Sequence, residues 1–108
     1  MIFVKYRELG STGLLVSEIG LGCEGFAENE CRDTGRFLDE VQRLGVNYID
    51  LYTPNPQVRA SVGEALKGRR EKFILQSHLC SVWKDGQYKR YRKIEEVKEG
   101  MRQMLSLL

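Results

Sequence analysis

The sequence predicts an α/β fold in which an N-terminal hairpin is followed by three strand and helix units with parallel strands. Three observations carry this. A Gly-Ser-Thr-Gly turn separates two short alternating segments near the N-terminus, and short apolar runs at 46–52 and 73–76 lack the alternation of half-exposed strands. Apolar positions at helical spacing occupy the stretches between and after those runs. Alternation of this kind argues for right-handed crossovers between parallel strands.

Residues 5–17, KYRELGSTGLLVS, form the hairpin signal, with a loop of a few residues between the two segments. In EIGLGCEGF, which follows, Ile19 and Leu21 alternate with Gly20 and Gly22. Glycines inside a strand imply that another backbone or a ligand approaches closely, which makes Gly22 a candidate contact for a cofactor. From Asp33 to Leu44 the positions Phe37, Val41 and Leu44 share one helical face, with Asp33 or Thr34 as N-cap and Gly45 as the stop. VNYIDLY then reads as a strand covered on both faces. Asn55 caps the next helix with Pro56 at its first position. That helix runs to about Lys67, with Val58, Val62, Ala65 and Leu66 inward and Gly68 as its stop. RREK turns the chain into the strand FILQ, residues 81–92 read as a polar, aromatic-bearing loop, and Lys93 to Leu108 form a last helix. Its inward positions are Ile94, Val97, Met101, Met104 or Leu105, and Leu108, and Gly100 costs it about 1 kcal/mol against Ala.

At 108 residues the chain is expected to be one domain, with the hairpin at about 5–17 and β/α units at about 18–45, 46–68 and 72–108. A composition 42% hydrophobic and 30% charged excludes disordered and fibrous classes. Net charge is +2, and apart from KRYRK at Lys89 to Lys93 the bases interleave with acids, so no nucleic-acid partner is expected. That cluster, with Tyr88 and Tyr91, reads as a solvated loop in preference to a phosphate site. Neither a long apolar run nor a secretory leader pattern is seen, so no membrane association and a cytoplasmic location are expected. Cys23, Cys31 and Cys80 lack framework spacing and read as free thiols of a reducing compartment. His78 and Cys80 share a strand face, but nothing like CxxC accompanies them, so no metal site is assigned.

Three blocks, YRELGSTGLLVSEIGLG (Tyr6 to Gly22), LGVNYID (Leu44 to Asp50) and VGEALKGRREK (Val62 to Lys72), together resemble the N-terminal third of the aldo/keto reductases. The resemblance implies a partial (β/α)8 TIM barrel plugged by the hairpin, and NADPH-dependent carbonyl reduction at the C-terminal ends of the strands. It also implies an Asp, Tyr, Lys and His tetrad, in which Lys and Asp bring a phenol, ordinarily near pKa 10, toward neutrality. Asp50 matches the family aspartate. The position of the tyrosine is Asn55 and that of the lysine is Ser77, while the histidine and the cofactor-binding segments belong to later strands. Tyr52, on the face of Asp50, and His78 or Lys84 are the residues able to form a rearranged acid/base site. Trp83 and Tyr88 are expected to cover open sheet.

Three parallel strands cannot close an eight-stranded barrel, and as an open sheet they leave two edges. The chain therefore reads as the front of a longer fold, inactive and without tight NADP binding by itself. The competing reading is a non-catalytic module that buries its edges by homo-oligomerisation.

Overall fold

The computed structural model describes residues 4–28 and 34–108. Cys31 and Asp33 lie outside them. The elements are β1 (Tyr6–Glu8), β2 (Leu15–Ser17), β3 (Leu21–Gly22), α1 (Thr34–Arg43), β4 (Tyr48–Leu51), α2 (Pro56–Ala65), β5 (Ile74–Ser77), β6 (Ser81–Lys84), β7 (Gln87–Arg90) and α3 (Ile94–Leu107). Single 3-10 turns occupy Glu24–Glu28 and Arg70–Lys72. β1 and β2 form an antiparallel hairpin, β3, β4 and β5 a parallel sheet with β4 central, and β6 and β7 a second hairpin. This is the partial barrel order, hairpin then β/α units, that the sequence predicts.

The last hairpin corrects the expectation of a polar loop at 81–92. Its turn is Asp85-Gly86, with φ of 55° and 73°. Both are the left-handed values that a two-residue hairpin turn of this hand requires, and Asp-Gly is among its strongest local signals.

β4 also departs from expectation. Ile49 and Leu51 are fully buried, whereas Tyr48 and Asp50 are only partly covered. The alternation is that of a sheet packed on one face, with helices against the Ile49 side. The extents of 46 × 36 × 21 Å agree with such a slab. Cys23, Leu38, Val41, Ile49, Leu51, Val58, Val62, Leu66 and Phe73 form the core.

In α1 the buried stripe is Thr34, Leu38 and Val41. The predicted period is correct but its phase is not: Phe37 and Leu44 are 43% and 47% exposed. Phe37 instead meets the ring of Phe26 edge to face, with centroids 5.6 Å apart. The helix ends with Gly45 N–H donating to the Gln42 carbonyl and Val46 N–H to that of Val41, with Gly45 at φ 87°. That is a Schellman stop, in which only glycine adopts the left-handed residue without strain. In α2, Asn55 Oδ1 accepts the Gln57 N–H at 2.9 Å, and Pro56 occupies the first position, as predicted. Of the inward positions of α3, Met104 is buried, but Ile94 and Leu105 are 67% and 64% exposed, because the helix packs on α2 and β6 along a narrow line.

Two polar side chains tie the layers together. Asn47, just before β4, accepts the Ser17 N–H at 2.7 Å and donates to the Leu15 carbonyl at 2.9 Å, fixing the N-terminal hairpin to the sheet. Arg69 donates to Asp39, Gln42, Gly35 O and Ala65 O, joining the end of α2 to α1.

The glycine predicted to sit against a neighbour does so. A Cβ on Gly20 would lie 2.9 Å from the Tyr48 ring, so Tyr48 is what approaches this segment. A tighter contact joins α2 to α3: a Cβ on Gly63 would lie 1.8 Å from the Leu107 carbonyl oxygen. In an open helix position Gly→Ala adds about 1 kcal/mol of stability. At Gly63 the sign reverses, because the obstacle is backbone and the end of α3 must move away. Gly63→Ala is expected to lower stability in a denaturant titration by about 1–3 kcal/mol; an unchanged or raised midpoint would show that α3 is not seated on α2.

Candidate functional site at the strand ends

The register of the sheet assembles the site. Gly22 is the partner of Asp50 in the β3 and β4 pair, and Asp50 is the partner of Gln76 in the β4 and β5 pair. Side chains two residues apart share a face, so Asp50, Gln76, Tyr52 and His78 rise on the open side of the sheet toward its carboxyl end.

His78 Nε2 lies 2.7 Å from Asp50 Oδ1, with the two side chains 35% and 37% exposed. A carboxylate oxygen accepts, so in this contact Nε2 carries the proton that the bond uses. Gln76 Nε2, 3.4 Å from the same ring nitrogen, then has no lone pair to donate to, and its Oε1 accepts the hydroxyl of Tyr48. Tyr52 meets the His78 ring nearly perpendicularly, at 5.1 Å between centroids.

The sequence-stated group of Asp50, Tyr52 and His78 is thus brought together, while Lys84 is not part of it. Its ammonium lies 3.6 Å from Glu96 and 5.2 Å above the centre of the Tyr91 ring. The residues that do complete the group come from β7. Tyr52 donates to the Tyr88 hydroxyl at 3.3 Å, and Arg90 Nε donates to the same oxygen at 3.1 Å. The hydrogen bond from Tyr52, with those of Arg90 and Ser81, draws Tyr88 down from 10 to about 8, and Tyr52 is pushed up by the same bond to Tyr88. A phenol held between a hydroxyl donor and a cation favours its phenolate. The available signal was the pair Tyr88 and Arg90 two residues apart on one strand face, which a loop assignment conceals. Trp83, the register partner of Tyr88 on β6, lines a cavity of about 180 Å³ between β6 and α3, with Val82, Lys84, Tyr91 and Glu96.

Neither substituted tetrad position offers its expected chemistry. Asn55 spends its side chain on the α2 cap, and Ser77 carries a hydroxyl opposite Leu51 in the sheet. Cys23, beside the end of β3, is fully buried. Burial, then the carboxylates of Glu24 and Asp50, push its thiol up to about 12, so it is no nucleophile. Among the described residues no cluster of three or more His, Cys, Asp or Glu could hold a metal.

Around Gly22 the strand ends offer acids in place of the cations or free backbone N–H groups that a pyrophosphate uses: a Cβ on Gly22 would lie 3.0 Å from the Glu24 carboxylate, and Asp50 is its register partner.

The arrangement is that of the opening segment of a parallel β/α barrel, with its polar side chains gathered where the strands end. The chain matches the N-terminal part of the aldo/keto reductases in fold and in sequence. It is 34% identical over 85 residues, 77% of its own length, to the uncharacterized oxidoreductase YqkF of Bacillus subtilis, of which it spans 28%. It superimposes with a TM-score of 0.82 on aldo-keto reductase AKR11C1 from Bacillus halodurans in its holo form, at 32% identity, covering 97% of this chain and 36% of that one. A protein of Pseudomonas aeruginosa assigned to the aldo-keto reductases gives the same TM-score at 28% identity, covering 95% of this chain and 42% of the other. No family-wide sequence profile matches the chain. It spans between a quarter and a half of the length of these relatives.

The site's electrostatics are open to titration. Ultraviolet phenolate absorbance is expected to show one step with a midpoint about 8, absent in Tyr88→Phe. Removing the cation in Arg90→Gln raises that midpoint toward the ordinary value, because the phenolate loses its counter-charge. A wild-type titration without a step below 9 would show that the Tyr52, Tyr88 and Arg90 contacts do not form, being far from the about 8 they support.

Proposed function

We propose that the chain is the N-terminal portion of an aldo/keto reductase-type oxidoreductase, which reduces a small carbonyl compound with NADPH only when the remaining strands are supplied. By itself it is inactive and binds NADP weakly or not at all. The observation that carries this reading is the three-stranded parallel sheet with Asp50 held by His78 at its carboxyl end. It is the same end at which barrel enzymes place their chemistry. Asn55 and Ser77 support the inactive state of the isolated chain, since neither gives a proton-donating phenol or its cation. Asp50 orients His78 here and has no further catalytic part, and Tyr52 holds Tyr88. The free thiols of Cys23 and Cys80 support a reducing compartment, the cytoplasm. Among the described residues no helix is long and apolar enough to cross a membrane.

Titration of NADPH with the 108-residue chain, followed by cofactor fluorescence, is expected to give no saturable change. A saturable curve, or NADPH oxidation with an aldehyde substrate, overturns the inactive reading.

One observation favours a second reading, a non-catalytic module that self-associates. β3 and β5 each pair on one side only, and an unpaired strand edge is a template for another chain. Light scattering decides it: a mass that rises with concentration to that of a dimer or larger supports the module, and a monodisperse monomer removes it.

A further inference from the structure

α3 lies close on β6 because Gly100 faces Val82: a Cβ there would stand 2.7 Å from Val82 Cγ1. The half-open cavity of about 180 Å³ beside this contact has two aromatic walls, Trp83 and Tyr91, and a carboxylate, Glu96, from the first turn of the helix. A carboxylate in that turn is favoured by the helix dipole and is ordinarily met by one of the free N–H groups there. The Glu96 side chain is 29% exposed as a whole, yet its Oε2 is buried and meets no hydrogen-bond donor. A carboxylate oxygen withheld from water without a partner is costly.

Lys84 does not answer it. Its Nζ is 3.6 Å from the other oxygen, Oε1, and 5.2 Å above the centre of the Tyr91 ring, on a side chain 51% exposed. The cavity is thus a place where a cation already rests, between a carboxylate and an aromatic face. An ammonium is a point charge, whereas a planar amidinium or guanidinium presents two parallel N–H groups and meets both oxygens of a carboxylate at once. Moving Lys84 into water frees the carboxylate, and an exposed ion pair of this length holds it only weakly. There is room for a ring behind such a cation, since roughly 150 Å³ of apolar cavity admits benzene. We propose that the cavity between β6 and α3 binds a small amidine or guanidine that carries an apolar ring, with the cation forked on Glu96 in the place of Lys84 and the ring against Trp83. The site goes beyond the reductase reading, since it uses no residue of the strand-end group and no cofactor.

Trp83 is the sole tryptophan of the chain, so its fluorescence reports this cavity. Titration of the 108-residue chain with benzamidine is expected to give a saturable change, weakened about tenfold or more in Glu96→Gln, which keeps the shape and removes the charge. Lys84→Met removes the competing cation and is expected to tighten binding about two- to fivefold. Benzamide, of the same shape without the charge, is expected to give no saturable change. A wild-type curve that does not saturate, benzamide binding as well as benzamidine, or an affinity that Glu96→Gln leaves unchanged overturns the site. N-acetylarginine amide, a similar cation on a flexible chain, is expected to bind more weakly than benzamidine; tighter binding overturns the ring-bearing small molecule in favour of an arginine side chain. Should Glu96→Gln not fold, the other two arms decide: benzamide binding as well as benzamidine, or a Lys84→Met chain that binds no more tightly than wild type, overturns the site.

Discussion

The constraint on which the rest depends is the parallel pairing of β4 between β3 and β5 with Ile49 and Leu51 turned to the helices. Each buried side chain contributes about 1.5–3 kcal/mol of transfer free energy. The pairing also aligns the strands at a single register. A slip of one residue would send Ile49 and Leu51 to the open face and Asp50 into the apolar core, which no buried partner there could compensate. Asn47 strengthens the same choice: its side chain binds the N-terminal hairpin, and its carbonyl accepts the Ile74 N–H at 2.7 Å, so one residue sets the start of β4 against two neighbours.

From that register the polar cluster follows without further assumption. Period two places Tyr48, Asp50 and Tyr52 on the face opposite to Ile49 and Leu51, and Gln76 and His78 beside them. The open face is polar and only partly covered, and each group there finds a neighbour to bond: Tyr48 with Gln76, His78 with Asp50, Tyr52 with Tyr88. The cluster is therefore a consequence of sheet geometry first. Its acid/base character comes from the second hairpin, which adds a cation and a phenol at the strand ends.

What was legible in the sequence divides along the range of the interactions. Helix stops and caps are local, and Gly45, Asn55 and Pro56 act where their spacing says they do. The three blocks of aldo/keto reductase-like sequence indicated the strand order. The phase of α1 was not legible, since Phe37, Val41, Leu44 and Thr34, Leu38, Val41 satisfy the same period and the long-range packing of Leu38 and Val41 into the core decides between them. One-sided covering of β4 was hidden for a similar reason: a run such as VNYIDLY has large side chains on both faces, whether or not a second layer meets them. The 81–92 hairpin was concealed by composition, although its Asp85-Gly86 turn was a local signal in plain view.

The candidate site was legible in its strand residues and not in its partners. Asp50, Tyr52 and His78 could be placed on one face by counting. Tyr88 and Arg90 could not, because they arrive from a different sheet through a turn. Arg59 was the least legible, since helical spacing next to Val58 says nothing about whether a guanidinium is covered. Tyr88 and Arg59 set one electrostatic problem in two surroundings. Near the surface, Arg90 finds a group whose pKa can fall to meet it, and the pair forms at small cost. On α2, partial burial works against the charge of Arg59, whose Nε keeps the Thr53 carbonyl as its partner while the hairpin-borne cation of Arg90 keeps a phenol.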